Sequence, residues 1–434
     1  MKTPALSAVG RRTEAPAISW LMATALARPK LISLAAGFTD NDSLPVQDVR
    51  ELLEEMLSSP RDGQAALQYG TTVGDTTLRQ LTAEHLRALD GKAGAGRNYW
   101  LERVIVTSGS QQMLYMVTEA LCDPGDIVLV EDPTYFVYLG ILQSHGVKAR
   151  GVRIERDGLD LAHLEEVLSG LKRSGELRRL KLLYLVSYYQ NPTGVTTRFD
   201  KKAAALKLLR KYEGPAGHPI YFLEDGAYRE LRFQGEDVKS ALAAHGASER
   251  VIYAGTYTKP FSTGSRVGFG FLPEPVLTAV VNIKGNHDFG SSNLLQQLLA
   301  RAMSSGRYEQ HLGGLRKRYA HKADIMRQAI EKEFPSAVEC WEPKGGLYFW
   351  GRLPQNVKSG MKSRLFRTAL AHDVVYVPGE LCYADDPARH RPNHEMRISF
   401  GAASENNVRA GIARLGGVLH EALAVAKPGT IKSR

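Results

Sequence analysis

Through the middle of the chain, short unbroken apolar runs alternate with segments whose apolar residues recur at helical spacing. Val104-Ile105-Val106-Thr107, Asp126-Ile127-Val128-Leu129-Val130, Leu182-Leu183-Tyr184-Leu185-Val186, Ile220-Tyr221-Phe222-Leu223 and Val251-Ile252-Tyr253-Ala254 read as strands. Helical patterns, such as those over 113–121 and 199–212, separate most of them. A strand that is apolar at every position is covered on both faces. The succession therefore predicts an α/β fold, a mostly parallel sheet sandwiched between helices in three layers. After about position 304 the pattern changes. A charged helix over 308–334 leads into Gly345-Gly346-Leu347-Tyr348-Phe349-Trp350, Val374-Val375-Tyr376-Val377 and Met396-Arg397-Ile398-Ser399-Phe400, short strands of a smaller α+β domain closed by a helix over 406–424. The expected organisation is an N-terminal arm and helix over 1–45 packing with the small domain, a large domain over 46–304 and a small C-terminal domain over 305–434, ending in a frayed tail over 427–434.

Composition narrows the class. The 434 residues are 43% hydrophobic and 24% charged, ordinary for a globular protein of two or three domains. No run approaches the ~20 apolar residues of a membrane span, and Met1-Lys2-Thr3-Pro4-Ala5-Leu6 lacks the apolar core of a signal peptide. The three cysteines, Cys122, Cys340 and Cys382, are odd in number and widely spaced, so neither a disulfide framework nor a metal site is expected, and a cytoplasmic location is. The net charge of +10 suits attraction to anions. Its basic runs, 172–179 and 315–319, read as a helix end or loop and as an exposed helix face. They lack the interleaved aromatic pattern of a nucleic-acid surface, so neither nucleic acid nor membrane is an expected partner.

Ligands of an open α/β sheet sit beyond the carboxyl ends of its strands, and four motifs follow predicted strands. Ser108-Gly109-Ser110-Gln111 opens a helix, where backbone amides and the Ser110 hydroxyl suit a phosphate; the same residues would serve as a plain helix cap. Gln190-Asn191-Pro192-Thr193-Gly194 is a turn whose Asn191 can donate to a ring oxygen. Glu224-Asp225-Gly226-Ala227-Tyr228 puts Asp225 at a strand tip, where a carboxylate can keep a pyridine nitrogen protonated or simply cap a turn. The last motif, Gly255-Thr256-Tyr257-Thr258-Lys259-Pro260-Phe261-Ser262-Thr263-Gly264-Ser265-Arg266, sets a lysine able to form an imine with an aldehyde among hydroxyls and an arginine able to hold a phosphate. Together on successive strand tips they point to one cofactor bearing both groups.

The combination of Asn191-Pro192-Thr193-Gly194, Asp225-Gly226-Ala227-Tyr228 and Thr256-Tyr257-Thr258-Lys259 resembles the fold-type I pyridoxal 5′-phosphate (PLP) enzymes of the class I/II aminotransferase family, most closely the branch of 2-aminoadipate and kynurenine aminotransferases. The resemblance runs from Leu31-Ile32-Ser33-Leu34-Ala35-Ala36-Gly37 through the C-terminal helix. It implies ping-pong transfer of an amino group from an L-amino acid to a 2-oxo acid. It further implies that Lys259 carries the cofactor, Asp225 pairs with the ring nitrogen, and Asn191 and Tyr228 bond the ring oxygen. Ser110, Gln111, Thr256, Thr258 and Arg266 would hold the phosphate, and Tyr135 would stack on the ring. Arg397 and Gly37, with Asn191, would receive the substrate carboxylate. Tyr69 would reach the phosphate of a neighbouring subunit, which makes the expected assembly a homodimer with shared sites. The chain departs from the family pattern at Ser187-Tyr188-Tyr189, where Ser187 stands in place of a proline, and at Gly70-Thr71-Thr72-Val73-Gly74-Asp75. Ile18 and Trp20 occupy a region that selects side chains in relatives, tilting the expectation toward apolar or aromatic substrates. Lys284, Asn286, His287 and Asp288 form a polar cluster to which the sequence assigns no role, its plain reading being a solvated loop. The same scaffold supports lyases, decarboxylases, cyclases and oxidases, and transcriptional regulators carry it behind a DNA-binding domain, for which the roughly thirty preceding residues are too few.

Overall fold

A computed structural model of the protein describes residues 5–91, 96–387 and 389–426. The tail expected over 427–434 lies outside the described residues, as does the side chain of Ile18. The first strand, β1 (Ile32–Ser33), comes before the main sheet. That sheet is built from β2 (Val104–Thr107), β3 (Ile127–Asp132), β4 (Lys148–Glu155), β5 (Gly158–Leu159), β6 (Leu180–Val186), β7 (Tyr221–Asp225), β8 (Val251–Thr256) and β9 (Gly268–Phe271), in the order β2-β9-β8-β7-β6-β3-β4-β5. Neighbouring pairs from β8 through β4 run parallel, whereas β9 lies antiparallel between β2 and β8. β3, β6, β7 and β8 are buried along almost their whole length, which is why their sequences are unbroken apolar runs. Register places Val186 beside Asp225 and Asp225 beside Ala254, so the loops after β6, β7 and β8 emerge side by side.

A second sheet is antiparallel: β10 (Glu339–Trp341), β11 (Tyr348–Arg352), β13 (Val377–Pro378) and β14 (Glu395–Ser399), in the order β10-β11-β14-β13. The apolar run at 374–377 is not one strand. Its first half, β12 (Val374–Val375), pairs with β1, while its second half joins β14. The main chain thus carries the segment leading into Gly37 onto the C-terminal part of the molecule. Arg397 sits within β14 opposite Trp350 on one side and Val377 on the other.

Two surface readings are corrected. The 315–319 run is not an exposed helix face: on the helix Arg307–Glu333, Leu315 and Tyr319 are buried, Arg316 donates to the Glu230 carbonyl, and Arg318 pairs with Asp40 and Glu405. Nor is the Lys284 region a solvated loop. Lys284 lies on the helix Val276–His287, is fully buried and pairs with Asp288 at 2.6 Å, as a buried ammonium requires.

Candidate active site

Beyond the carboxyl ends of β3, β6, β7 and β8 lies a cleft of about 460 Å³. Every site residue expected from the sequence except Tyr69 lines it. One end is an anion cup. The helix Ser110–Leu121 starts there behind Gly109, at φ 80°, and no side chain caps its first amides. Those amides and the positive end of the helix dipole are free to meet an anion. Arg266, itself left-handed at φ 50°, lies so close that a Cβ on Gly109 would come within 2.9 Å of its guanidinium. The hydroxyls of Thr256 and Thr258 bond each other at 2.8 Å on the adjoining wall. Hydroxyls, free amides and a guanidinium make a donor set for a phosphate.

Further in, Asp225 ends β7 and is 3% exposed. Its Oδ2 accepts from the Tyr184 hydroxyl at 3.0 Å and its Oδ1 from the Ala227 amide at 3.0 Å. Burial, with a smaller contribution from Glu224, pushes its pKa up to about 6. Among the described residues no basic side chain lies within ion-pairing distance of this carboxylate, so a cationic ring nitrogen fits the place. Lys259 Nζ donates to the Gly37 carbonyl at 2.6 Å. Burial, then the Arg397 and Arg266 charges, press the lysine pKa down to about 8. A lysine, a buried acid and an anion cup in one cleft suit a phosphorylated pyridine aldehyde.

Opposite Lys259, Arg397 is 1% exposed. Its guanidinium donates to Asn191 Oδ1 at 2.7 Å and to the Ala35 carbonyl at 2.5 Å, and lies 4.3 and 5.4 Å from the ring centroids of Tyr348 and Phe136. Its Nε has no partner, and among the described residues no carboxylate pairs with it. An unmatched buried cation is costly, and a ligand carboxylate would relieve that cost with two parallel bonds. Gly37 closes this corner: a Cβ there would fall 2.6 Å from the Tyr348 hydroxyl.

Tyr348 is the site residue that sequence reasoning missed. Its hydroxyl lies 3.0 Å from that of Tyr228, which in turn accepts from Asn191 Nδ2 at 3.4 Å. Within Gly345-Gly346-Leu347-Tyr348-Phe349-Trp350 it reads only as a strand aromatic. Only the register of β11 on β14 brings it beside Arg397. Phe38, Phe136, Val137 and Val186 complete the wall and carried no chemical signal. Tyr188 is buried with the Lys202 ammonium 3.9 Å and the Arg229 guanidinium 5.1 Å from its ring, and neither it nor Tyr189 lines the cleft. Trp20 packs on Phe366, 6.2 Å between centroids, and is likewise not a lining residue. Tyr69 is 84% exposed and meets Phe289 edge-on, away from its own cleft.

Residues 29–415 match the family model of aminotransferase class I and II. An aromatic-amino-acid aminotransferase of Thermococcus litoralis is 31% identical over 397 residues, covering 90% of this chain and 88% of that one. A 2-aminoadipate transaminase of Thermus thermophilus is also 31% identical, covering 92% of each chain. The crystal structure of a kynurenine aminotransferase from Pyrococcus horikoshii in complex with PMP is similar at a TM-score of 0.86 and 30% identity, over 96% of this chain and 97% of that one. With the family model spanning most of the chain, and a cleft suited to the cofactor that family uses, the protein belongs to the class I and II aminotransferases and is a PLP-dependent aminotransferase.

Proposed function

We propose that the protein takes the amino group from L-amino acids with apolar or aromatic side chains, passing it to a 2-oxo acid through two half-reactions at the one cleft. The observation that carries the substrate class is the lining: beside Lys259, Arg266 and Arg397, the wall that a side chain would meet is Phe38, Phe136, Val137 and Tyr348. No further cation among the described lining residues is available for a second carboxylate, which would be left unpaired against apolar surface.

When bound, PLP supplies an aldehyde that takes up the amino group and a ring that accepts the electrons of the Cα–H bond. Ser110, Gln111, Thr256, Thr258 and Arg266 would hold its phosphate, Asp225 its ring-nitrogen proton, and Asn191 and Tyr228 its ring oxygen, with Tyr135 against the ring. Lys259 would anchor the cofactor and then, as a free amine, carry the proton to and from the substrate Cα. A base must be neutral to do this, and a lysine whose pKa is pressed down to about 8 by burial and two guanidinium charges has a useful neutral fraction near neutral pH. Arg397 and the Gly37 backbone would fix the carboxylate, leaving the Cα–H bond one orientation.

The domain division at about 45 and 304, a cytoplasmic location and a homodimer in which Tyr69 serves the partner's site belong to the same reading. Three free cysteines support the location, and an exposed Tyr69–Phe289 pair supports the dimer. No helix among the described residues is long and apolar enough to cross a membrane.

Absorbance of the PLP-loaded protein, followed as single amino acids are added without a 2-oxo acid, tests the proposal. L-Phenylalanine or L-tyrosine should discharge the lysine-bound cofactor and release one equivalent of 2-oxo acid, with kcat/KM about a hundredfold above L-aspartate. Release of carbon dioxide or another product in place of the 2-oxo acid would mark a lyase, decarboxylase or cyclase.

A further inference from the structure

We infer that Tyr184 is a positioning residue for the reaction: its buried hydroxyl holds the Asp225 carboxylate ionised and aimed at the cleft. The inference rests on the reading of Asp225 as the partner of the cofactor's ring nitrogen. Tyr184 lies inside β6, fully buried, one strand away from Asp225. Its hydroxyl donates to Oδ2 at 3.0 Å while the Ala227 amide donates to Oδ1 at 3.0 Å, so each carboxylate oxygen has one fixed donor and a lone pair to spare. The ring of Tyr184 is itself held against that of Tyr138, 4.1 Å between centroids, so the hydroxyl cannot swing away.

The surroundings give this bond its weight. Glu224, the neighbour on β7, pairs with Lys202 at 2.8 Å and raises the pKa of Asp225. From β3, Glu131 is buried with its own pKa pushed up to about 8, chiefly by burial, and it also feels the Asp225 charge. Tyr135 packs nearby and is held neutral, first by burial. None of these groups stabilises an anion at Asp225. The Tyr184 hydroxyl and one backbone amide are what oppose desolvation there. The sign follows: with the hydroxyl removed the anion loses a donor, and the carboxyl takes up its proton at higher pH.

Tyr184→Phe removes only the hydroxyl and keeps the ring stack. Cofactor-free protein is titrated with PLP across pH, and the acid limb of kcat is measured in parallel. The acid-side loss of PLP affinity should begin about one pH unit higher in Tyr184→Phe than in wild type, the tenfold change that one charge-assisted hydrogen bond supplies. The acid limb of kcat should move with it while KM for the amino acid stays put. Tyr138→Phe is the control. Its hydroxyl bonds Thr118 at 3.2 Å and makes no bond to Asp225, so its profile should overlie wild type. Coincident acid limbs for wild type and Tyr184→Phe would overturn the inference. An equal loss of affinity at every pH, or the same shift in Tyr138→Phe, would do so too, since either marks a packing defect. Failure of the wild type itself to take up PLP would overturn the reading of the cleft together with this inference.

Discussion

Arg397 is a guanidinium buried within a strand, satisfied by one amide oxygen and one carbonyl, with two aromatic rings nearby and its Nε free. That geometry needs a planar fork and not merely a positive charge. An ammonium in its place is a strongly hydrated point charge whose three donors lack the planar fork that meets Asn191, Ala35 and two carboxylate oxygens together. Arg397→Lys should therefore raise KM for the amino acid about thirtyfold or more, corresponding to the ~2 kcal/mol or more lost when a buried hydrogen-bonded charge is truncated. PLP affinity should change little, because the anion cup lies at the other end of the cleft. Steady-state kinetics beside a PLP titration separates the two effects.

At the scale of elements, the anion cup depends on how one turn is held. Gln112 accepts from the Ser108 amide at 2.7 Å and donates to Asp288 at 2.7 Å, and Asp288 is in turn paired with the buried Lys284. The start of the helix Ser110–Leu121 is thereby bolted to the end of the helix Val276–His287. Gln112→Ala should weaken PLP binding about tenfold while leaving pyridoxal, which has no phosphate, bound as before. Parallel titrations with the two compounds check it. Little of this bolt is legible in the sequence, because its members lie far apart in the chain and each reads as an ordinary polar residue facing water. The strands around it divide in the same way. β3, β6, β7 and β8 announce themselves as apolar runs because they are buried on both faces. β4 carries charges at a half-exposed position near the sheet margin, and β9 alternates glycine with phenylalanine; neither pattern resembles a central strand, and both were missed. The site was more legible than the sheet that carries it. Lys259, Asp225 and Asn191 follow readable strands and bear recognisable chemistry, whereas Tyr348 depends on a register in the second sheet that no local pattern reveals.

At the scale of the whole molecule, Tyr69 is a large aromatic left uncovered by its own chain. It stands 84% exposed beside Phe289, itself 56% exposed, and the segment that bears it is stitched to the start of the helix Asn293–Ser304: Asn293 donates to the carbonyls of Ala65 and Gln68. An aromatic pair held this firmly in solvent suits a second copy of the chain, related by a two-fold axis so that each Tyr69 enters the other's cleft. The consequence is a test by complementation. A Lys259→Ala chain keeps a good Tyr69 but cannot anchor the cofactor. A Tyr69→Ala chain keeps a good Lys259 but, on that arrangement, would not support its partner's phosphate. Each homodimer should be impaired at both sites, the first essentially inactive and the second defective when PLP is limiting. A mixed dimer, however, would assemble one intact site from the lysine of one chain and the tyrosine of the other. Co-expression of the two variants should then restore about a quarter of wild-type activity at limiting PLP, since random pairing makes half the dimers mixed and each mixed dimer has one complete site of two. Activity that merely averages the two separate preparations would place Tyr69 in the service of its own subunit, or of none.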